Sequence, residues 1–215
     1  MIAMKIERQT RTRRKMGRPL SFDRECALEK AMLTFWRHGY ETTSINDLTK
    51  AMGVTAPSIY AAFGDKKQLF LEAVQRYAGT DEQREQSISN ATTAFAAARD
   101  LLETSASLFT GDSTPPGCLL ASATATGSQT AADVLAAVAE IRTSGRLALR
   151  HRIQEDVQRG VLPISTDAEG LSDLVFAAIQ GMSTLARDGA SRAQLNAVAR
   201  HVLAAWPMVR ATRTD

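Results

Sequence analysis

Two cysteines in 215 residues, Cys26 and Cys118, stand too far apart to form a disulfide framework or a metal-ligand spacing. Only three histidines occur (His38, His151 and His201), and none lies in a zinc pattern such as H-E-x-x-H. The chain has no glycine-rich phosphate loop and no serine in a nucleophile-elbow context. Catalysis is therefore not expected, and neither a metal nor a cofactor is. No run of about 18 apolar residues marks a membrane span, and no apolar signal core follows the start, so a cytoplasmic protein is expected. β-Branched residues are scattered among Ala, Leu, Arg and Glu rather than alternating. The whole chain reads as all-α, and its 44% hydrophobic content is ample for a core.

What is present is concentrated in residues 41–64, ETTSINDLTKAMGVTAPSIYAAFG. Ile45, Leu48, Met52, Val54, Ile59 and Phe63 fit two short helices packed on a shared face. Thr43 and Ser44 are N-cap residues for the first, and Ser44 has Asp47 three positions on. Gly53 falls where the chain must turn sharply. Thr55 caps the second helix, and Pro57 sits in its first turn, where a missing N–H costs little. The pattern is that of a helix-turn-helix, whose second member lies in the major groove of DNA. An ordinary helical hairpin with a glycine turn has the same spacing.

Charge separates the two. Residues 1–78 hold 14 Lys and Arg against 8 Asp and Glu, whereas the remainder holds 12 against 15. A basic head on a mildly acidic body suits a protein that neutralises phosphates with one end only. Within that head, residues 1–18 form a basic arm without apolar periodicity, expected to be flexible. Arg14 and Arg18 are its best DNA contacts, because GRP stands directly before the first helix.

Residues 17–77 resemble the TetR (tetracycline-repressor-like) family of one-component transcriptional regulators. The resemblance is carried by Phe35, Trp36, Gly39 and Tyr40 at the end of helix 1, then TTS, MGV, SIYAAF and DKKQLF in that order. Thr49 departs from the alanine usual at the helix crossing, which implies a small shift in packing. The strings PPGCLLASATA, VLPISTDAE and QGMSTLARDGASRAQL extend the likeness more weakly into one large subgroup of the family's C-terminal domains. The resemblance implies a homeodomain-like DNA-binding domain over residues 19–78 and a helical effector-binding and dimerisation domain over 79–215. It implies Thr55, Ala56, Pro57 and Ser58 at base edges or nearby phosphates, Tyr60 at a phosphate, and Thr43 and Lys67 on the DNA backbone. The residue chemistry is compatible: Ser58 can hydrogen-bond either, and Ala56 and Pro57 offer apolar contact to a thymine methyl.

Past Gly79, helices are expected over 81–108, 118–125, 130–159, 167–188 and from a Ser191 cap to about Trp206. The apolar surface of the 130–159 and 167–188 helices exceeds what one small bundle needs. Ala177, Ala178, Gly181 and Ser183 allow close helix approach, so these two helices are expected to pair with their copies in a homodimer. Between the helices, a small-molecule effector of unknown identity is expected to meet Phe95, Leu102, Phe109, Cys118, Phe176 and Gln180, bulky apolar groups with few polar handles. The expected function is a ligand-responsive repressor released from a palindromic double-stranded DNA operator. The alternative is a repressor sensing oxidants or electrophiles through Cys118, at a helix N-terminus. A nucleoid-type DNA binder without ligand control and a metal sensor using Cys118 with His151 or His201 are rivals that DNA selectivity and metal content separate.

Overall fold

The computed structural model describes residues 22–122 and 131–207. The basic arm with Arg14 and Arg18 lies outside them, as do residues 123–125 of the expected 118–125 helix. Ten α-helices make up the described residues, with no strand among them. The first four are α1 (Arg24–His38), α2 (Ile45–Met52), α3 (Ala56–Phe63) and α4 (Lys66–Ala78). Their ends follow from local chemistry. Asp23, Ser44, Thr55 and Asp65 each accept a backbone N–H of the first turn, and Ser44–Asp47 and Asp65–Gln68 form capping boxes. Phe35, Leu48, Ile59, Leu69 and Phe70 are fully buried between them. Phe70 meets Phe35 edge-on, with ring centroids 5.1 Å apart.

Six helices follow: α5 (Asp81–Ser89), α6 (Ala94–Phe109), the single turn α7 (Leu119–Ser122), α8 (Ala132–Gln158), α9 (Ala168–Arg187) and α10 (Arg192–Ala204). The expected continuous helix over 81–108 is broken at residues 90–93. Arg152 and Asp156 of α8, only 3% and 1% exposed, hold the break. Arg152 pairs with Asp156 at 2.6 Å and donates to the carbonyls of Ala91 and Thr92, while Asp156 accepts the Ala94 N–H at 2.7 Å. Thr93 then caps α6. A long-range ion pair thus stops a segment whose local sequence would continue.

The first four helices are joined to the rest through α7. Gly117, at φ 81°, offers its carbonyl to Trp36 Nε1 at 3.0 Å, and a Cβ there would stand 2.8 Å from the Ser183 carbonyl. Ser122 Oγ donates back to the Trp36 carbonyl, and Trp36 stacks edge-on against Tyr77 at 4.8 Å. α8 packs on α4, α5, α6 and α9 and keeps an outward row of Ala136, Ala139, Thr143 and Leu147. α9 keeps an outward strip of Leu174, Ala177, Gly181 and Leu185 at helical spacing, each exposed. Both helices expected at a dimer contact thus keep exposed residues at helical spacing.

Candidate nucleic-acid interface and effector cavity

The turn between α2 and α3 is set by Gly53, whose φ of 72° and ψ of 29° are left-handed. The Thr55 hydroxyl accepts the Ser58 N–H and lies 2.9 Å from the Ser58 hydroxyl. Ile59 and Phe63 point into the core, leaving Thr55, Pro57, Tyr60 and Ala61 exposed and Ala56 and Ser58 half-buried on the outer face. That face carries no acidic residue, and Tyr60 stands clear at 52% exposure.

Arg24, which sequence reasoning missed, fixes the attitude of α3. Its guanidinium binds both Glu72 oxygens at 2.9 and 2.7 Å, donates to the Ala62 carbonyl in the last turn of α3, and lies 4.4 Å over the Phe63 ring. No local signal marks it, because its partners are 38 and 48 residues away.

Two of the residues expected at the DNA backbone have partners within the chain. Thr43 is 1% exposed and its hydroxyl donates to the Gly39 carbonyl at 2.6 Å, so its side chain tethers the chain between α1 and α2 and does not face a phosphate. The cap falls to Ser44 instead. Lys67 Nζ is bound to Asp133 Oδ2 of α8 at 2.6 Å. The Asp133 hydrogen bond raises the Lys67 ammonium above its usual value, and the same bond holds the Asp133 carboxyl below its own. The pair is complete between the two ordinary values; it is lost as pH falls through the lowered aspartate or rises through the raised lysine. Beside it, Lys66 lies 4.5 Å over the Tyr40 ring and donates to the Glu41 carbonyl, and burial lowers its ammonium. Thr49 turns its hydroxyl back to the Asn46 carbonyl, leaving the α2–α3 turn regular.

A cavity of about 380 Å³ lies behind this head. Tyr77 and Ala78 of α4 form one wall, and Leu101, Phe109, Ile141 and Phe176 are among the apolar groups that close it. Of the six residues expected at an effector, Phe109, Cys118, Phe176 and Gln180 line this space. Leu102 does not, being fully buried in α6, and Phe95 instead packs edge-on against Trp206 at 5.9 Å. Sequence periodicity puts both on apolar faces but cannot tell which face meets a void. Cys118 is 5% exposed, and its sulfur accepts from the Tyr77 hydroxyl at 3.4 Å. Burial pushes the Tyr77 phenol far above its usual value, so it stays a donor. The helix that Cys118 precedes is a single turn, too short for a developed helix dipole. Among the described residues no His, Cys, Asp and Glu cluster fit for a metal exists. No helix there is long and apolar enough to cross a membrane.

A capped helix pair presenting an acid-free face, set on a helical body that holds a cavity, defines a DNA-binding regulator of the helix-turn-helix class. Residues 27–73 match the model of bacterial regulatory proteins of the tetR family. The chain is 35% identical over 193 residues to the HTH-type transcriptional repressor ComR of Escherichia coli, covering 89% of this chain and 92% of that one. It belongs to the TetR family, whose members are non-enzymatic DNA-binding transcriptional regulators acting as dimers. It is also 38% identical to the repressor BdcR of the same organism, over 65 residues, 30% of this chain and 33% of that one. Among solved structures, the TetR family regulator CifR, as a cysteine mutant complexed with a 26-bp double-strand operator DNA, superposes with a TM-score of 0.82 at 37% identity. The match covers 89% of this chain and all of that one.

Proposed function

We propose that this regulator is a repressor released from a near-palindromic operator by a small molecule that enters the cavity behind the head. The observation that carries the reading is the wall formed by Tyr77 and Ala78, the last residues of the helix that begins at Lys66 and Lys67. An occupant therefore touches the element leading to the DNA-facing end. Release requires unequal affinity for two arrangements of the dimer, typically about 1–3 kcal/mol of coupling. The recognition helices of one dimer sit about 34–36 Å apart on successive major grooves. Thr55, Ala56, Pro57 and Ser58 supply base and nearby phosphate contacts, Tyr60 a phosphate contact, and Arg14 and Arg18 the flanking arm. Selection of bound duplexes from a random pool, followed by a screen for compounds that release them, tests the reading. Because CifR is complexed with a 26-bp operator, enriched sites of that order are expected; uniform retardation of all duplexes would mean a nucleoid-type binder instead.

Two expected results bear on the parts. In the free protein Lys67 is spoken for by Asp133, and a phosphate must displace that carboxylate. Asp133→Asn is expected to tighten operator binding about two- to fivefold at low salt, the range open to an exposed ion pair, with less gain at high salt. Equal affinity at every ionic strength in a fluorescence titration would show that Lys67 takes no part. The dimer contact is assigned to the exposed α9 strip. A Cβ at Gly181 meets nothing within 4 Å, so a large side chain fits the monomer there. Gly181→Arg is expected to leave helix content intact, sediment as a monomer at micromolar concentration, and weaken operator binding at least about tenfold, because one head lacks the second half-site. A dimer persisting in the variant would move the contact elsewhere.

Cysteine-based sensing is a second reading, favoured only by Cys118 lining the same cavity. It requires that alkylation of Cys118 release the operator.

A further inference from the structure

The charge pattern of the cavity narrows the class of its occupant. Its lining includes two guanidinium groups, Arg84 and Arg142, and no aspartate or glutamate. The rest is mostly apolar, with Gln83, Thr104 and Gln180 among the few neutral polar groups. Arg142 makes no hydrogen bond or ion pair with the described residues. Arg84 is held firmly: its terminal nitrogens donate to the Ala78 and Gly79 carbonyls and to Asp81. Its Nε, however, is buried without any partner. A buried guanidinium N–H left unpaired is costly; any acceptor relieves it, and an anion relieves it most.

We propose that the effector is a small amphipathic monoanion, its apolar body among Leu101, Phe109, Ile141 and Phe176 and its charged end on Arg142 and the free Nε–H of Arg84. The inference rests on the regulator reading and names the ligand class for the same cavity. At ~30 Å³ per water-sized group the space takes about a dozen non-hydrogen atoms, the size of a medium-chain carboxylate. A neutral or cationic amphiphile of equal length leaves the Arg142 charge unanswered, and a cation is repelled by it. Arg84 also gives the anion a grip on the head. Through the Ala78 and Gly79 carbonyls it holds the C-terminal end of α4, a rod of about 20 Å whose other end carries Lys66 and Lys67. An anion drawing on Arg84 thus pulls on the helix that orients the DNA-facing residues.

The test uses the full chain and three probes of one length: decanoate, decanol and decylammonium. In calorimetric titrations without DNA, decanoate is expected to bind at least about tenfold more tightly than decanol, and decylammonium not at all. Arg142→Gln, which breaks no existing contact, is expected to lower decanoate affinity at least about tenfold and leave decanol unchanged. Equal binding of decanoate and decanol overturns the proposal, as does an Arg142→Gln variant that binds decanoate like the wild type. Operator binding of the same samples without ligand is measured in parallel. Protein that holds its operator yet ignores decanoate sinks this inference alone. Protein that takes decanoate through Arg142 yet ignores DNA supports the site and removes the regulator reading.

Discussion

Ser58→Glu is expected to abolish operator binding while leaving the protein as stable as before, or slightly more so. Ser58 is the third residue of α3, and Thr55 is its N-cap. The present cap is loose, with the Ser58 N–H 3.4 Å from the Thr55 hydroxyl. A glutamate at that position completes a capping box with Thr55 and places a carboxylate in a first turn that has none. Together these stabilise the helix by about 0.5–1 kcal/mol, offset in part by the lost Ser58–Thr55 hydroxyl contact. At the DNA surface the same carboxylate faces phosphates. Like charges brought together at an interface cost several kcal/mol, so affinity is expected to fall at least about a hundredfold. Thermal melts and operator titrations on one preparation check both halves. Retained binding would remove α3 from the groove; loss of fold and binding together would make Ser58 a structural residue.

The largest effect on stability is expected at Asp156. Its carboxylate is 1% exposed, takes Arg152 at 2.6 Å and accepts the Ala94 N–H at 2.7 Å. Asp156→Ala takes from a 3%-exposed guanidinium its nearer counter-ion, leaving only Glu155 at 3.4 Å, and leaves the Ala94 N–H without its acceptor. Breaking a buried pair in this way costs about 3–5 kcal/mol. For a chain of this size the melting temperature is expected to fall roughly 10 °C. Arg152→Met with Asp156→Leu removes both charges and is expected to recover part of the loss, because the penalty lies in the uncompensated charge. A single-variant loss under about 1 kcal/mol in denaturant unfolding would mean that the pair does not hold the 90–93 break.

The head was legible because its signals are local. Ser44, Gly53, Thr55 and Asp65 act on backbone groups within a few residues, and the apolar repeat of α1 to α4 gives the buried face directly. The effector side was legible only in outline. Phe109, Cys118, Phe176 and Gln180 have the chemistry of a ligand site and do line the cavity. Phe95 and Leu102 share that chemistry and do not, since a bulky apolar side chain reads alike whether it faces a void, a tryptophan or the core.

The amino-acid order alone settled the all-helical class, the two capped helices around Gly53, the ends of most other helices and the family. Each rests on interactions that span a turn or two of chain. Tertiary structure decided the rest: that Thr43 turns inward, that Lys67 meets Asp133, that Arg24 braces α3, that a buried ion pair on α8 splits the helix after Ser89, and that Arg84 joins the cavity to α4. Most of those contacts join residues dozens of positions apart, and the short Arg84 and Thr43 contacts depend on the packing around them. Their energies depend on which elements pack together, a choice no local pattern encodes.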